Sequence, residues 1–416
     1  MRYIHQLDHW PLFRWDAEAL SGILSAVRFR QGLLVGRMES LAAASEKEAE
    51  QFVLLLDTQS TRAIEKDSVK SGTTQNLKPD SAATRALKNC GEYAVARELA
   101  NDPAKLLTAS RLDDWHAQIT GTVANAGSGT TPRASGWRAA EDGPKQLVYG
   151  PLGWEKVQFE APDAARLSAE MSKFLAWVNF HKIPEPETAT QNAGEPTPPG
   201  SGASLWNDGL IRAGLAQLWF ITLHPYKDGS GRLARSITDL MLHRAAPVLG
   251  VSGAAPHKAP ESGKRFYSLN ERLLRERADY FSAISAAQRG NLDVTAWLDW
   301  FLHCLERAIM QAETHLAPIL KKDFWRKRAA ASGLNRRQAL VFETMLGGYP
   351  REVSTGSYAR MAETSQDTAL RDIIGMIDLG LMRKTGGGGR STSYRLKWSA
   401  GANREDAAGT SGAPEE

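Results

Sequence analysis

The sequence contains little cysteine and no long apolar run. Among its 416 residues there are two cysteines, Cys90 and Cys304. This number excludes a disulfide framework and a zinc site built from cysteine alone, and it is typical of free thiols in a reducing compartment. No stretch approaches the ~20 apolar residues of a membrane span, and the first residues lack the cationic start and apolar run of a secretory signal. The sequence therefore predicts a soluble, cytoplasmic protein without a membrane partner.

Neither sign of charge dominates. The chain has 51 Lys and Arg against 47 Asp and Glu, which leaves a net charge of +4. This value is too small to predict a nucleic-acid partner for the whole chain, although a local basic patch can still bind one. The 42% of hydrophobic residues suffice for real cores. At roughly 150 residues per domain, the length predicts two to four domains.

Hydrophobic periodicity predicts a mainly α-helical protein with one β-hairpin. Helices are predicted over Trp15 to about Leu56, Ala165–Phe180, Leu205–His224, Leu233–Leu249, Phe266–Arg289 and Val294–Ala317. Two β-rich runs, Gln146–Tyr149 and Lys156–Phe159, flank a Gly-Pro-Leu-Gly turn and predict the hairpin. Segments 124–143 and 183–204 are rich in Gly, Pro, Ser and Thr, which is typical of loops.

The pattern changes from about Leu334. Three helices are predicted over Arg336–Leu346, Ser357–Ala362 and Gln366–Leu379, and two short strands over Leu381–Lys384 and Ser393–Lys397, around a glycine run. Three helices followed by a two-stranded wing are typical of a winged helix, a variant of the helix-turn-helix. The tail 399–416 lacks the apolar residues that would offset the entropy of ordering it, so it is predicted to be disordered.

The string HPYKDGSGRLAR, from His224 to Arg235, is the most informative part of the sequence. One predicted helix brings His224 to its C-terminal end, and the next begins beyond Ser230, so that its free N–H groups form an anion site. An imidazole suits a general base, Asp228 suits a Mg²⁺ ion beside phosphates, and Arg232 and Arg235 supply cations. The string predicts a phosphate-handling site. The alternative is a plain interhelical turn with solvated charges.

This string resembles the motif of the Fic family, HxFx(D/E)GNGRxxR. The match covers His224, Asp228, Gly229, Gly231, Arg232 and Arg235. Tyr226 replaces the usual Phe, and its hydroxyl needs a partner if it is buried. Ser230 replaces the usual Asn and is expected to cap the following helix. YIHQLDHWPLFRWD, YGPLGWEKVQFEAP and RERADYFSAISAAQRGNLDVTAWLDWFLHCL are similar to the N-terminal helical domain, the flap hairpin and the C-terminal core helices of a bacterial subgroup.

The resemblance implies a protein adenylyltransferase, because most Fic proteins transfer AMP from ATP to a hydroxyl of a target protein. It implies that His224 deprotonates the Ser, Thr or Tyr hydroxyl and that Asp228 holds Mg²⁺. The N–H groups of Gly229, Ser230 and Gly231 would neutralise phosphate charge. Arg232 and Arg235 would bind the β- and γ-phosphates.

Two further roles follow from the resemblance. The flap at Val148, Tyr149 and Gly150 would dock the target by strand addition. Tyr280, beside Phe281, would stack on the adenine. Packing in the core is the alternative for these two aromatic residues.

A partial match to the inhibitory pattern of the family, (S/T)xxxE(G/N), occurs in TRAIEK. Thr61 and Glu65 are four residues apart and share one helical face. The resemblance implies that Glu65 pairs with Arg235, so that ATP binds only in an unproductive pose. Lys66 replaces the small Gly or Asn, which predicts leakier inhibition. The alternative is that Glu65 is an ordinary solvated charge.

The sequence thus predicts four segments. They are an N-terminal helical domain (1–120) with an inhibitory helix around 57–70, a Fic catalytic core (121–325) with a flap hairpin at 146–160, a winged helix (326–398) and a disordered tail (399–416). Candidate DNA contacts in the winged helix are Gln366, Thr368, Arg371, Arg383, Lys384 and Arg390.

The expected cofactors are ATP and Mg²⁺. The expected partners are a target protein, which can be the chain itself, and DNA; a homodimer stays open. Two alternatives to adenylyl transfer remain. One is a DNA-binding transcriptional regulator with a weakly active Fic core. The other is a Fic enzyme that uses another nucleotide or removes AMP.

Overall fold

The computed structural model describes residues 2–65, 81–121, 136–139, 141, 145–149, 156–179, 208–246, 264–385 and 392–397, with the backbone alone at 146–149 and 156–158. Within these ranges the protein is mainly α-helical, as the sequence predicts. The helices are α1 Ala17–Glu39, α2 Ala43–Ile64, α3 Ala82–Lys88, α4 Gly91–Asn101, α5 Ala109–Thr120, α6 Ala164–Asn179, α7 Gly209–Leu223, α8 Ser230–Arg244, α9 Leu269–Arg275, α10 Arg277–Gln288, α11 Thr295–Ala331, α12 Arg336–Leu346, α13 Thr355–Met361 and α14 Gln366–Asp378. The strands are β1 Gln146–Tyr149, β2 Lys156–Glu160, β3 Met382–Thr385 and β4 Ser393–Leu396.

Contacts divide the chain into two units. The first comprises Met1–Ser40 and Glu46–Thr314, and the second comprises Leu41–Ser45 and His315–Glu416. The four predicted segments, with their boundaries at 120, 325 and 398, stay a prediction. Among the described helices, none combines the length and the apolar character that crossing a bilayer requires. Cys90 and Cys304 are both free thiols, and Cys304 is buried.

Helix α7 lies in the core of the first unit. Every residue from Leu210 to Leu223 is buried, and the sequence of α7 is accordingly largely apolar around the helix rather than along one stripe. Asp208 caps its start by accepting a hydrogen bond of 2.7 Å from the Leu210 N–H. A Cβ at Gly214 would lie 3.0 Å from Leu298 in α11, so the glycine permits close approach of these helices. Helix α8 packs along α7, and α4 and α5 pack on α8.

Several predicted helices have different bounds. The helix predicted over Trp15 to Leu56 is two helices, α1 and α2, and the one predicted over Phe266–Arg289 is α9 and α10. The start of α2 is held by Asp323, whose carboxylate accepts a hydrogen bond of 2.9 Å from the Ala42 N–H. That contact comes from far along the chain, so local periodicity does not reveal it. Helix α11 continues through Pro318 to Ala331, beyond its predicted end at Ala317.

The predicted flap hairpin is present. Strands β1 and β2 pair antiparallel, from Gln146 opposite Glu160 to Tyr149 opposite Lys156, with an irregularity between Leu147 and Val148. Buried Phe159 on β2 packs edge-on against Tyr3, with ring centroids 5.0 Å apart. A ring nitrogen of His5 lies 2.8 Å from the Glu160 carbonyl oxygen. The N-terminal segment therefore supports the hairpin.

The second unit contains α12, α13, α14 and the β3–β4 pair around one apolar core, which includes Phe342, Tyr358, Ile373 and Met382. These five elements lie within two residues of their predicted bounds, because each of the three helices begins at a capping side chain. The caps are Asn335, Ser354 and Ser365. The winged-helix assignment stays a prediction. The predicted tail 399–416 lies outside the described residues.

Candidate functional site

A short turn joins α7 to α8 and carries the residues of the HPYKDGSGRLAR string. His224 ends α7 in the left-handed conformation, at φ 45°, which is uncommon for a residue other than glycine. Gly229, at φ 77°, precedes the first residue of α8, Ser230. Helix α8 thus starts three residues before its predicted start at Leu233. The predicted meeting of two helices at this string is confirmed, and the imidazole of His224 is buried there.

A buried arginine supports the turn. Arg138 is 3% exposed, and its Nε donates a hydrogen bond of 2.9 Å to the His224 carbonyl. Its Nη2 donates to the carbonyls of Leu223 and Pro162, and its backbone N–H donates to the Pro225 carbonyl at 2.8 Å. A cation is favourable at the C-terminus of a helix, where carbonyl groups lack intrahelical partners. Arg138 therefore holds the end of α7 in its turned conformation.

His224 is in an environment that keeps its imidazole neutral. Burial lowers the pKa of His224 to about 4, and the positive charges of Lys145 and Arg138 act in the same direction. The Lys145 ammonium is fixed at the loop, because it donates a hydrogen bond of 2.8 Å to the Lys227 carbonyl. The neutral imidazole at pH 7 is the form that can accept a proton.

Ser230 does not cap α8, and the prediction that it does is wrong. The capping position is Gly229, which offers no side chain, and Ser230 is the first residue of the helix. The Ser230 hydroxyl instead accepts a hydrogen bond of 3.2 Å from the Tyr226 N–H and donates one of 3.1 Å to the Tyr226 carbonyl. Ser230 thus links the end of the turn to the Tyr226 backbone near its start. It leaves the first N–H groups of α8 without a side-chain cap, as an anion site requires.

Helix α5 holds the turn from the other side. Tyr226 is fully buried, and its hydroxyl has the partner that the sequence requires, since it donates a hydrogen bond of 2.7 Å to Asp113 Oδ1. The ring of Tyr226 stacks on His116, with centroids 4.2 Å apart. A ring nitrogen of His116 lies 3.1 Å from the Asp228 carbonyl oxygen. Asp113 and His116 are not among the residues predicted from the sequence, although Thr108 before α5 and Gly121 after it are capping signals.

Asp228 is the exposed acid of the turn. Its side chain is 84% exposed, and its Oδ2 lies 3.6 Å from Arg232, while its Oδ1 accepts a hydrogen bond of 2.7 Å from the Gly229 N–H. Among the described residues, no three His, Cys, Asp or Glu side chains converge as a ready cation site. One solvent-facing carboxylate still fits Mg²⁺, which takes one or two protein carboxylates and completes its shell with water and substrate phosphates.

Arg232 is held by α4. Its Nη1 donates hydrogen bonds to Glu92 Oε1 at 3.1 Å and to the Ile119 carbonyl at 2.9 Å. The side chain is 18% exposed, while that of Glu92 is 5% exposed. Glu92 was missed from the sequence because α4 was not predicted. Arg232 therefore has a fixed orientation within the site.

Arg235 is fully enclosed and faces the end of α2. Its Nε donates a hydrogen bond of 2.8 Å to Thr61 Oγ1, and its Nη2 donates one of 2.6 Å to Glu65 Oε1. Burial alone would raise the pKa of the Glu65 carboxyl, but Arg235 outweighs this effect and holds that pKa below its usual range. The pairing of Glu65 with Arg235 that the resemblance implies is present, and Thr61, which shares a helical face with Glu65, contacts the same arginine. Lys66 lies outside the described residues.

Gly231 allows this contact to form. A Cβ at Gly231 would lie 2.7 Å from Glu65 Oε1, which is closer than real Cβ atoms approach an oxygen. A larger residue at this position would therefore displace the Glu65 carboxylate. The close approach of Glu65 is therefore sufficient reason for a glycine at position 231, whether or not a phosphate binds there.

Tyr280 has no ring face on which adenine can stack, so this prediction is corrected. The side chain is 1% exposed, because its ring packs between Phe281 and Trp300, at centroid distances of 5.1 and 6.0 Å. Its hydroxyl accepts a hydrogen bond of 3.0 Å from Gln217 Nε2. Tyr280 packs in the core, which is the alternative that the sequence left open.

The remaining candidates that the structure describes belong to other elements. Val148 and Tyr149 are in β1, opposite Val157 and Lys156 of β2, and Gly150 is outside the described residues. On α14, Gln366 and Arg371 are exposed, and Thr368 is half-buried with its hydroxyl 3.0 Å from that of Ser365. On β3, Lys384 is exposed and Arg383 is half-buried. Arg390 lies outside the described residues.

Comparison with known proteins shows a likeness in fold. The family model "Domain of unknown function (DUF4172)" matches residues 3–77. A Fic family protein from Desulfovibrio desulfuricans G20 is 14% identical over 92% of this chain and 97% of its own, with a TM-score of 0.51. A Fic domain containing signaling protein from Bacteroides thetaiotaomicron VPI-5482 is 14% identical over 72% of this chain and 98% of its own, with a TM-score of 0.42.

A third structure, Fic-1 (residues 134–508) from C. elegans, is 16% identical over 72% of this chain and 74% of its own, with a TM-score of 0.44. No curated protein matches the chain significantly. The fold of this chain is therefore similar to that of the Desulfovibrio Fic family protein. At 14% identity the similarity concerns the fold alone.

Proposed function

We propose that this protein is a Fic-type nucleotidyltransferase that transfers AMP from ATP to a Ser, Thr or Tyr hydroxyl of a target protein. One observation carries the proposal: a single short turn joins the neutral, buried imidazole of His224 to the uncapped N-terminus of α8 at Ser230. A candidate proton acceptor and a candidate anion-binding helix end therefore lie at the two ends of one turn, which fits transfer of a phosphate-containing group to a hydroxyl. The Fic-like fold supports the same reading.

In the proposed reaction, the His224 imidazole takes the proton from the target hydroxyl. The hydroxyl oxygen forms a bond to the α-phosphorus of ATP, the bond from that phosphorus to the bridging oxygen breaks, and pyrophosphate leaves. The backbone N–H groups of Gly229, Ser230 and Gly231 donate to the phosphate oxygens, and Arg232 orients the β-phosphate. Mg²⁺ held by Asp228 would neutralise part of the phosphate charge. The flap at β1 would add a strand of the target to its edge.

We infer that the end of α2 inhibits this reaction in cis. Arg235 is the proposed ligand of the γ-phosphate, and its Nη2 is bonded to Glu65 at 2.6 Å. A phosphate and the Glu65 carboxylate are both anionic, so they compete for the same guanidinium. ATP then binds productively only after Glu65 has moved away. Lys66, in place of Gly or Asn, makes this inhibition leakier.

Labelling with four nucleotides tests the proposal. The wild type, Glu65→Gly and His224→Ala are incubated with α-labelled ATP, GTP, CTP or UTP and Mg²⁺, and label on the protein itself or on a lysate protein is counted. We expect label from ATP in Glu65→Gly, weaker label in the wild type and none in His224→Ala. Label from another nucleotide would identify a Fic enzyme with a different donor. Complete absence of label in Glu65→Gly would contradict nucleotidyl transfer.

A second candidate function is sequence-specific DNA binding by the second unit. Arg383 and Arg395 are directly opposite each other on β3 and β4, and with Lys384 they line a cleft that also includes Glu352. Three cations at one cleft would attract DNA phosphates. Gln366 and Arg371, exposed near the start of α14, would then reach base edges. A mobility shift that disappears in Arg383→Glu with Arg390→Glu would support this function, and no shift with any DNA at low salt would dismiss it.

A further inference from the structure

The last turn of α2 makes a second contact with the site besides the one through Glu65. Arg62 lies between Thr61 and Glu65 in the sequence, and its Nη1 donates a hydrogen bond of 2.9 Å to Glu92 Oε2. The Arg62 side chain is 40% exposed and that of Glu92 is 5% exposed. The acceptor is thus buried while the donor approaches it from the surface. This contact does not involve Arg235.

The same carboxylate also holds Arg232 of α8. Glu92 Oε1 accepts a hydrogen bond of 3.1 Å from Arg232 Nη1. One buried acid therefore has an arginine from α2 on one oxygen and an arginine of the phosphate-handling string on the other. Hydrogen bonds between ionised groups are stronger than those between neutral groups. A buried carboxylate that loses one such partner keeps an uncompensated charge, which destabilises the folded protein.

Close packing fixes the position of Glu92. The preceding residue, Gly91, lies against α5, where a Cβ would be 1.9 Å from the Gln118 carbonyl oxygen. The backbones of α4 and α5 therefore touch at this point. Glu92 therefore starts from a backbone that is packed directly against α5.

We infer that Glu92 is a positioning residue for Arg232 and, through Arg62, a second attachment of α2 that is independent of the Glu65–Arg235 pair. The part that concerns transfer rests on the function proposed above. In the inhibited state both arginines of the string are tied to α2, Arg235 directly and Arg232 through Glu92. Release of α2 then requires that two contacts break.

Arg62→Gln tests the attachment, because it removes the charge at a partly exposed side chain and leaves Glu65, Glu92 and both string arginines in place. Amide hydrogen exchange at residues 60–64 is expected to rise roughly fivefold, as loss of a contact of this kind allows. Self-labelling from ATP is expected to rise by a similar factor. Lys47→Gln, an exposed cation near the start of the same helix, is the matched control and should change neither.

Glu92→Gln tests the positioning role in the Glu65→Gly background, where inhibition through Glu65 is absent. We expect KM for ATP to rise roughly tenfold with kcat nearly unchanged, because Arg232 loses its orienting carboxylate. Arg62→Gln in the same background should leave KM unchanged. If Glu92→Gln folds poorly, as its melting temperature would show, the exchange measurement on Arg62→Gln still decides whether α2 is attached there.

The outcomes are separable. Exchange at 60–64 that is equal in Arg62→Gln and Lys47→Gln would overturn the attachment. An unchanged KM in Glu92→Gln, with labelling present in Glu65→Gly, would overturn the positioning role. If Glu65→Gly shows no transfer at all, the proposed function fails, and the exchange result alone then tells whether Arg62 and Glu92 hold α2.

Discussion

Arg138 and His224 are joined by a hydrogen bond of 2.9 Å from the guanidinium Nε to the backbone carbonyl. The bond connects a residue that lies far from the string to the point where α7 turns back toward α8. Because His224 has a positive φ there, the turn needs support from outside the loop, and Arg138 supplies it at several carbonyls at once. The buried cation also contributes to the lowered pKa of His224.

Replacement of Arg138 by glutamine is expected to loosen this turn. The carbonyls of Leu223, His224 and Pro162 would lose their shared cationic donor, which should lower the free energy of unfolding by about 2–3 kcal/mol. Chemical denaturation measures this quantity. Lys173→Gln, which removes an exposed cation of α6, is the control. Equal stability of the two variants would contradict a supporting role for Arg138.

The second prediction concerns Tyr226, where the sequence departs from the Phe of the Fic motif. Tyr226→Phe removes the hydroxyl that donates to Asp113 but keeps the ring stacked on His116. We expect a loss of about 1–2 kcal/mol in the free energy of unfolding and retention of most self-labelling activity.

A double-mutant cycle with Asp113→Ala identifies the cause. Tyr226→Phe and Asp113→Ala should be non-additive, so that the double variant loses less stability than the sum of the two single losses. Additive losses would mean that the hydroxyl and the carboxylate stabilise the protein separately, and the proposed role of this hydrogen bond would be abandoned.

Stability should depend on pH through His224 in a defined direction. Burial lowers its folded-state pKa to about 4, whereas an exposed imidazole has a pKa of about 6.5, so between these values the unfolded chain binds a proton that the folded chain does not. Stability then falls as pH drops through this window, by up to about 3 kcal/mol from His224 alone. Above pH 6.5 the contribution is fully present, and it stays constant as the pH rises further.

The difference between the wild type and His224→Asn isolates this effect, because His5, His116 and His243 also have lowered pKa values and titrate in both proteins. Free energies of unfolding measured from pH 4 to 8 should converge at low pH and diverge toward pH 7, with the wild type more stable at the upper end. A constant difference across that range would show that His224 does not titrate as described.

Local signals in the sequence predict the two helices that flank the string and the turn between them. The run from Leu210 to Leu223 is apolar, and Gly229 provides the positive φ that the turn needs. The pairing of Glu65 with Arg235 follows from a family resemblance, since nothing local in TRAIEK indicates a partner 170 residues away. In the structure, Arg235 Nη2 donates a hydrogen bond of 2.6 Å to Glu65 Oε1.

Local sequence signals do not reveal the contacts that depend on packing between distant parts of the chain. Helices α3 to α5 are short, at 7, 11 and 12 residues. Helices α4 and α5 pack on α8, and α3 packs on α4, so packing rather than propensity stabilises them. Glu92 and Asp113 lie on these helices, so their contacts with Arg232 and Tyr226 were missed. Tyr280 was misassigned for a related reason, because an aromatic residue that packs in a core and one that stacks on a base have the same local pattern.

The last prediction concerns the opposed cations on β3 and β4. Arg383→Glu reverses the charge of one side chain at the cleft that Arg383 shares with Lys384 and Arg395. If this face binds DNA phosphates, the same change should weaken binding and make the slope of log K against log salt shallower by about one or two. Lys173→Glu, with the same change in charge on α6 of the first unit, should leave that slope unchanged. An unchanged DNA affinity and an unchanged slope in Arg383→Glu would lead us to reject DNA binding through this strand pair.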